Sequence, residues 1–262
     1  MEVLKLLTEY YGSYDEDNRL CSRHGSVEFL TTMRYVQRYL KPGMRVLEIG
    51  AATGRYSHTL ARQGYKVDAV ELVQHNIEIF KHNTQPGEDV RIYQGNAKSL
   101  DMLGDNTYDI TLLLGPMYHL FTVPEQLEAL SEAIRVTKKG GVVFAAYCGN
   151  EATMIQYCFG RGMLKEDRYR KLVDPVTFKA SSDPAELFQL YRKEDIDKLM
   201  AVFPVTRLHY VGTDMATNYM RQTIDEMDDE LFDMYLRYHF AICERSDLVG
   251  ASHHILDIFR KD

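Results

Sequence analysis

The feature that most constrains the fold of this chain is a regular alternation of strand-like and helix-like segments from Arg45 to Gly149. Short runs rich in Val, Ile and Leu recur there, and the stretches between them carry helical periodicity. Strands that alternate with helices form parallel sheets, because each helix carries the chain back across one face of the sheet. The run YDITLLLG is almost entirely apolar, as expected of a strand covered on both faces. The alternation therefore predicts an α/β fold with a parallel sheet.

Clear sequence signals bound the predicted strands and helices. A helix before the first strand ends at the Lys-Pro-Gly of residues 41–43. The helix after the fourth strand begins at Pro124 and is predicted to end at the Gly140–Gly141 pair. The predicted strands are RVLEIG, KVDAVEL, VRIYQG, YDITLLLG and GVVFAAYCG. Together with their connecting helices, these strands form a predicted core over residues 45–149.

The flanking segments are predicted to complete the same single domain, residues 1–262. Residues 1–44 form a helical cap that begins with a short amphipathic helix. Residues 150–203 break the alternation and are predicted to form an insert above the sheet, where they would cover a ligand. Residues 204–262 supply a sixth strand, a helix and a seventh strand. The predicted fold is a doubly wound, seven-stranded, mostly parallel sheet with an N-terminal helical lid and an insert after the fifth strand.

Composition and charge narrow the classes of function. Four cysteines without a CxxC pair argue against a disulfide framework or a zinc knuckle, so we expect a cytoplasmic protein. The net charge of −7 disfavours nucleic acid as a partner. No apolar run reaches the ~18 residues of a membrane span, and the N-terminus lacks the signals of a secreted protein. A small molecule is the expected partner, with no membrane association.

The loop after the first predicted strand, GAATG at residues 50–54, is nearly free of side chains. Such loops bind ligands, among them dinucleotides, phosphates and S-adenosylmethionine. A phosphate-binding loop ends in Gly-Lys-Ser or Gly-Lys-Thr, whereas Gly54 is followed by Arg55 and Tyr56. A dinucleotide-binding loop requires G-x-G-x-x-G, and its second glycine is missing here. The glycine spacing therefore disfavours both of these ligands.

Two acidic residues flank this loop, Glu48 just before it and Glu71 at the end of the next predicted strand. A carboxylate at position 48 would repel a pyrophosphate but suits the sulfonium and ammonium groups of S-adenosylmethionine. Glu71 is placed to accept hydrogen bonds from two ribose hydroxyls, a feature shared with nicotinamide-binding folds. Leu72 is placed to pack on an adenine face. The two acids together predict a positively charged nucleoside as the ligand.

These residues, with two further motifs, resemble those of the class I S-adenosylmethionine-dependent methyltransferases. The first family motif, E/D-x-G-x-G-x-G, stands here as residues 48–54 with Ala52 in place of the middle glycine. AVEL, which contains Glu71, matches the second motif, and YDITLLLGPMYHL matches the fourth. The third motif, typically Gly-Asp-Ala, stands as Gly-Asn-Ala at residues 95–97. The likeness extends from about Arg45 to Tyr147.

The resemblance implies a Rossmann-like methyltransferase fold and an enzyme that converts S-adenosylmethionine to S-adenosylhomocysteine. It implies that Glu71 binds the ribose and that Asn96 accepts a hydrogen bond from the adenine amino group through its amide oxygen. Leu114 and Gly115 would line the methionine end. The expected cofactor-binding residues are Glu48, Gly50, Ala51, Ala52, Gly54, Glu71, Leu72, Asn96, Ala97, Leu114 and Gly115.

The segment GPMYHL after the fourth predicted strand supplies the candidate catalytic residues. Two roles are open for His119: a general base, since an imidazole pKa suits proton removal near neutral pH, or a packing histidine beside the cofactor. Tyr118 is a candidate to orient the acceptor or to shield the methyl group. Tyr14 and His24 either close over the cofactor as part of a lid or belong to a solvated loop.

No metal site is predicted from the sequence. Adjacent residues of a strand point to opposite faces, so His253 and His254 make a poor metal-binding pair. The stretch from Arg161 to Lys171 carries five cations against two acids. Such a run suits a solvated helix face, and the alternative is contact with a phosphorylated or nucleic-acid substrate.

The sequence therefore predicts methyl transfer by in-line displacement to a small or medium-sized acceptor. Because a sulfonium already activates its methyl group, the protein mainly aligns the reactants and excludes water. An RNA methyltransferase is the alternative, disfavoured by the acidic net charge and by LGPMYH where base-amino methyltransferases carry an NPPY-type motif. Glu48 and the glycine spacing oppose a nicotinamide-dependent oxidoreductase, and a non-catalytic cofactor-binding protein stays open. The acceptor and the methylated atom (O, N, S or C) are also left open.

Overall fold

The computed structural model describes residues 2–14, 16, 18–186 and 188–262 of the chain. Met1, Asp15, Asp17 and Leu187, which fall in the predicted cap and insert, lie outside the described residues. Within the described part, eight strands join in one sheet. They are β1 (Arg45–Ile49), β2 (Lys66–Glu71), β3 (Val90–Gln94), β4 (Tyr108–Leu113), β5 (Thr137–Gly149), β6 (Leu190–Tyr191), β7 (Val205–Gly212) and β8 (His254–Lys261).

Helices cover both faces of this sheet and its carboxyl edge. They are α1 (Glu2–Ser13), α2 (Arg23–Tyr39), α3 (Arg55–Arg62), α4 (Gln74–Asn83), α5 (Val123–Val136), α6 (Asn150–Thr153), α7 (Asp167–Arg170), α8 (Lys193–Met200), α9 (Arg221–Asp225) and α10 (Asp229–Ile242). Short turns connect them, including a 3-10 turn at Pro116–His119 after β4 and a π-helical turn at Met154–Phe159. None of the helices in the described ranges has the length and apolarity needed to cross a membrane.

The strand order is β3-β2-β1-β4-β5-β8-β7, and the two-residue strand β6 pairs with the end of β5. Strands β1 to β5 are parallel, whereas β8 runs antiparallel between β5 and β7. This mostly parallel α/β sheet confirms the predicted fold class. The order reverses between β1 and β4, and ligands of such sheets bind in the crevice at this switch point.

The central strands are apolar because both of their faces are covered. Leu47 and Ile49 of β1 belong to one buried cluster with residues of α5 and α8. Val46, which points to the other face, belongs to a second cluster with residues of α2 and α3. The two clusters lie on opposite sides of the sheet, so β1 contributes to a three-layer structure.

The predicted end of α5 is wrong by several residues. The helix ends at Val136, and Thr137 already pairs with Tyr108 of β4. The β4–β5 register then shifts until Val142, and Gly140 in between has a φ of +77°. The glycine pair therefore lies at an irregularity within β5 rather than at a helix cap, and Gly140 tolerates the positive φ that occurs there.

The last part of the predicted insert belongs to the core of the domain. Leu190 and Tyr191 pair with β5, and the Tyr191 hydroxyl donates to the carbonyl of Met117 at 2.9 Å. Ile196 and Leu199 of α8 pack in the same buried cluster as α5. Within the range 150–203, the described residues that line the crevice lie between Thr153 and Leu190, and α8 lies outside it.

Candidate active site

A cavity of about 770 Å³ opens at the carboxyl edge of the sheet, at the switch point between β1 and β4. The glycine loop after β1 and the segment after β4 form one side of it. The N-terminal segment, the first part of the 150–203 range, the loop after β7 and the start of β8 form the rest. Because β8 is antiparallel, its first residues reach the same edge as the ends of β4 and β5.

The glycine loop brings two backbone segments into close approach. Gly50 and Gly54 have φ angles of +81° and +92°, and Ala52, at the place of the family's middle glycine, has +47°. A Cβ atom on Gly50 would lie 2.5 Å from Cδ of Pro116 and 2.6 Å from the carbonyl oxygen of Leu114. No side chain fits at position 50, and the loops after β1 and β4 therefore meet directly.

Glu71 braces the glycine loop from the neighbouring strand. Its carboxylate accepts hydrogen bonds from the backbone N–H groups of Ala52 at 2.9 Å and Val73 at 2.8 Å. Burial raises the pKa of Glu71, while these backbone donors oppose the shift. The helix α1 packs against α4, which follows Glu71, so α1 covers this end of the crevice. Glu71, the predicted ribose-binding acid, is thus buried beside the cavity and is not among the described residues that line it.

Glu48 is a buried acid on the cavity wall, with only 2% of its surface exposed. It accepts hydrogen bonds from the backbone N–H of Ser57 at 2.9 Å and from the Ser57 hydroxyl. Within the described chain no cation pairs with it, and burial raises its pKa to about 8. A cationic group bound beside Glu48 would relieve this burial cost, so the residues present fit a sulfonium and ammonium ligand.

The predicted cofactor-binding residues divide into two groups. One group lies on the wall of the cavity: Glu48, Gly50, Ala51, Ala52, Leu114 and Gly115. The other group lies beside it, toward β2 and β3: Gly54, Glu71, Leu72, Asn96 and Ala97. Within the second group Asn96 is exposed, and its Oδ1 accepts a hydrogen bond from the N–H of Lys98 at 3.0 Å. An amide oxygen has a second lone pair, so Asn96 keeps one acceptor site for an adenine.

The two candidate catalytic residues differ in their placement. Tyr118 lies on the cavity wall, and its ring centroid is 5.9 Å from that of His254. His119 is outside the set of described residues that line the cavity, and its Nε2 lies 3.0 Å from the Tyr11 hydroxyl of α1. Its ring packs 5.3 Å from that of Phe188. The catalytic roles of both residues stay predictions.

The predicted lid residues Tyr14 and His24 both lie on the cavity wall. The ring of Tyr14 stacks on that of Tyr10 at 5.2 Å. His24 Nδ1 lies 2.6 Å from an oxygen of Asp225 in α9. His24 therefore links the start of α2 to the segment after β7, and the lid role of Tyr14 and His24 stays a prediction.

The cavity wall also carries a network of buried charged side chains that the sequence did not predict. Arg19 pairs with Glu28 at 2.8 Å, and His254 Nδ1 lies 3.2 Å from Glu28 and 2.8 Å from Asp214. Burial opposes the charge on His254, but the charge of Glu28 and the hydrogen bond to Asp214 hold its pKa well above the usual range. The pKa of Asp214 is held low by His254 against the effect of burial. These residues are far apart in sequence, so no local motif announces them.

Asp214, His253 and His254 bring three potential metal-ligating atoms within 4.8 Å of one another. The prediction that the side chains of His253 and His254 point to opposite faces is wrong. His253 precedes β8, so the alternation of side chains along a strand does not apply to it. The oxygens of Asp214 already accept hydrogen bonds from the Ser252 hydroxyl at 2.7 Å and from the N–H of His253 at 2.9 Å. With His254 held in its charged form, the cluster is a hydrogen-bonded ion pair, and the absence of a metal stays a prediction.

Comparison with known proteins gives three kinds of match. Residues 46–141 match a family model described as a methyltransferase domain. A ubiquinone biosynthesis O-methyltransferase of Hahella chejuensis is 21% identical over 200 residues, which cover 74% of this chain and 81% of the relative. A demethylmenaquinone methyltransferase of Renibacterium salmoninarum is 34% identical over 106 residues, 40% of this chain and 41% of the relative. A solved structure of the CcbJ methyltransferase of Streptomyces caelestis shares the fold, with a TM-score of 0.60, 14% identity and coverage of 97% of this chain and 96% of that one.

Proposed function

Because the chain belongs to the class I S-adenosylmethionine-dependent methyltransferases, we propose that it methylates a small-molecule acceptor bound in the 770 Å³ cavity. The observation that carries this proposal is the position of Glu48, a buried acid without a cation that faces a cavity at the switch point. The matched family and relatives favour a small molecule over RNA. They also set aside the nicotinamide-dependent alternative, whose glycine spacing the loop lacks.

The cofactor would lie along the carboxyl edge of the sheet from β3 to β4. Glu48 is proposed to take the ammonium group, Glu71 the ribose hydroxyls and Asn96 the adenine amino group. When bound, S-adenosylmethionine supplies a methyl group activated by its sulfonium. The glycine loop, in which Gly50 and Ala52 have positive φ, lets the backbone approach this ligand closely.

The acceptor would lie on the other side of the switch point, over β4, β5 and β8. Tyr118 faces this space directly and is the proposed acceptor-facing residue. His119 is proposed as a catalytic residue that reaches the acceptor through the Tyr11 hydroxyl. The lid of α1 and the Tyr-rich segment around Tyr14 would exclude water, so that alignment of the reactants supplies most of the catalysis. We further propose a cytosolic location, with which four scattered cysteines without a CxxC pair agree.

A labelling experiment tests the proposed function. The protein is incubated with methyl-labelled S-adenosylmethionine and either a small-molecule extract or total RNA of the same cells. We expect label in the small-molecule fraction alone, and binding of S-adenosylhomocysteine but not NAD in equilibrium titrations. Label retained on RNA, or binding of NAD in preference to S-adenosylhomocysteine, would contradict the proposal. Binding of S-adenosylhomocysteine without any transfer would support the non-catalytic alternative.

Cofactor binding should release a proton from Glu48. With a pKa of about 8, this carboxyl is mostly protonated at pH 6–7 in the free protein. A bound ammonium favours the carboxylate and lowers that pKa, so affinity for S-adenosylhomocysteine should rise between pH 6 and 7.5, by up to ~10-fold per pH unit. Calorimetry in buffers of different ionisation enthalpy measures the released proton. In Glu48→Gln we expect weaker binding without this pH dependence, and an equal slope in both proteins would rule out the role of Glu48.

A further inference from the structure

Four charged side chains on the described cavity wall form no ion pair with a described residue: Glu48, Arg55, Asp183 and Arg221. The Nε of Arg221 donates to Oδ1 of Asn218 at 2.6 Å, and its Nη2 lies 3.4 Å from the hydroxyl of Tyr157. No carboxylate of the described residues lies within ion-pair distance of it. The other wall arginine without an acidic partner, Arg55, is exposed and stacks on the ring of Phe29 at 4.9 Å. Arg221 is thus a partly buried cation that faces the cavity with unused donors.

His253 lies on the same part of the wall, and its ring forms no hydrogen bond with a described residue. Both of its ring nitrogens are buried from solvent, and neither has a hydrogen-bond partner within the described chain. Its ring is 5.5 Å from that of Tyr157, with the planes tilted by 60°. Burial, with the nearby charge of His254, lowers its pKa to about 4, so it is neutral and carries one N–H donor at pH 7. A buried imidazole without a partner at a cavity wall indicates a ligand that supplies one.

We propose that Arg221, Tyr157 and His253 form a subsite for a carboxylate group of the methyl acceptor, so that the acceptor is a small carboxylic acid. This inference rests on the proposed function. The guanidinium offers parallel N–H donors that match a carboxylate in two-point fashion, and the hydroxyl and the imidazole N–H offer further donors. Strands β4 and β5 separate Glu48 in β1 from His253 at the start of β8. Glu48 would thus attract the cationic cofactor at the β1 end of the cavity. Arg221 would attract an anionic acceptor at the end near β8.

The charges around the subsite favour a carboxylate over a phosphate. His253 is surrounded by the cations His254 and Arg221 and by the acids Asp214 and Glu28. The charge of His254 is already matched by these two acids, so among the described residues around His253 it is Arg221 that has no acidic partner. A cation without an acid among these residues balances a monoanion, and a second negative charge would be repelled by Asp214 and Glu28.

The test compares three phenyl ligands whose polar groups carry different charges. Benzoate, its neutral isostere benzamide and phenyl phosphate are titrated into wild-type protein saturated with S-adenosylhomocysteine, with binding followed by ligand-observed NMR. We expect benzoate to bind at least ~10-fold more tightly than benzamide and more tightly than phenyl phosphate. Replacement of Arg221 by Gln should lower the affinity for benzoate by about 10- to 100-fold, which is the contribution of a hydrogen bond between charged groups. The affinity for S-adenosylhomocysteine should stay unchanged.

Arg161 provides a matched control. It stacks on the same Tyr157 ring at 4.6 Å but is exposed and absent from the described cavity wall, so Arg161→Gln should leave benzoate binding unchanged. Should Arg221→Gln fail to fold, Arg221→Lys keeps the charge but not the two-point geometry and should lose part of the preference. Equal binding of benzoate and benzamide, equal effects at the two arginines, or tighter binding of phenyl phosphate would overturn the carboxylate subsite. Failure of the wild-type protein to bind S-adenosylhomocysteine would instead contradict the proposed function.

Discussion

Replacement of Glu71 by alanine is expected to weaken S-adenosylhomocysteine binding by about 100-fold or more. The change removes the acceptor proposed for the ribose hydroxyls and also the brace that holds the N–H groups of Ala52 and Val73. A hydrogen bond to a charged group contributes about 1.5–3 kcal/mol, and each 1.4 kcal/mol is a factor of ten in affinity. Isothermal calorimetry measures the loss, and circular dichroism establishes that the variant is folded.

Two further variants separate the role of Glu71 from a general effect of lost charge. Glu71→Gln keeps one carbonyl acceptor and should bind with intermediate affinity. Glu78→Ala removes an exposed acid of the neighbouring helix α4, which contacts the side chain of Gln74, and should bind like the wild type. A folded Glu71→Ala protein with wild-type affinity would show that this carboxylate does not hold the cofactor.

The second large effect is expected on stability, at Gly50. An alanine there must keep a φ of +81°, which costs roughly 1–2 kcal/mol, and its Cβ must displace Pro116 and the backbone of Leu114. Overpacking of this kind costs about 1–3 kcal/mol more. We expect the free energy of unfolding in urea to fall by about 2–5 kcal/mol, with a matching loss of cofactor affinity because the loops after β1 and β4 move apart.

Gly43 offers a control with the same backbone conformation but no neighbour. Its φ is +83°, and a Cβ there would meet nothing within 4 Å. Gly43→Ala should therefore lose only the roughly 1–2 kcal/mol of the left-handed conformation. Equal losses in the two variants would mean that the contact of Gly50 with the β4 segment does not contribute to stability.

The fold was predictable from the sequence because its signals are local. Each central strand is an apolar run covered on both faces. Glu48, the glycine loop and Glu71 all lie within residues 48–71. The error at α5 shows the limit of such signals. A Gly-Gly pair suits a helix end and a strand irregularity alike, and only the pairing of Thr137 with Tyr108 decides between them.

The shared edge at which Glu48 and Glu71 lie was predictable for the same reason, and the charged wall formed by Arg19, Glu28 and His254 was not. Glu48 and Glu71 each end or nearly end a strand of the sheet, so the fold class brings them to one edge. Glu28 of α2 contacts Arg19, which precedes α2, and His254, the first residue of β8. These contacts join the N-terminal cap to a strand more than 200 residues later in the sequence. Their proximity depends on how the loop after β7 packs beneath the cap, which no spacing in the sequence records.

The antiparallel insertion of β8 between β5 and β7 also orders the assembly of the protein in time. Residues 45–149, which hold the glycine loop, leave the ribosome well before residues 253–261. The segment proposed to bind the nucleoside is therefore synthesised, and can begin to fold, before the β8 wall of the proposed acceptor side. The proposed selectivity for the acceptor depends on a strand that is made later than the proposed cofactor site.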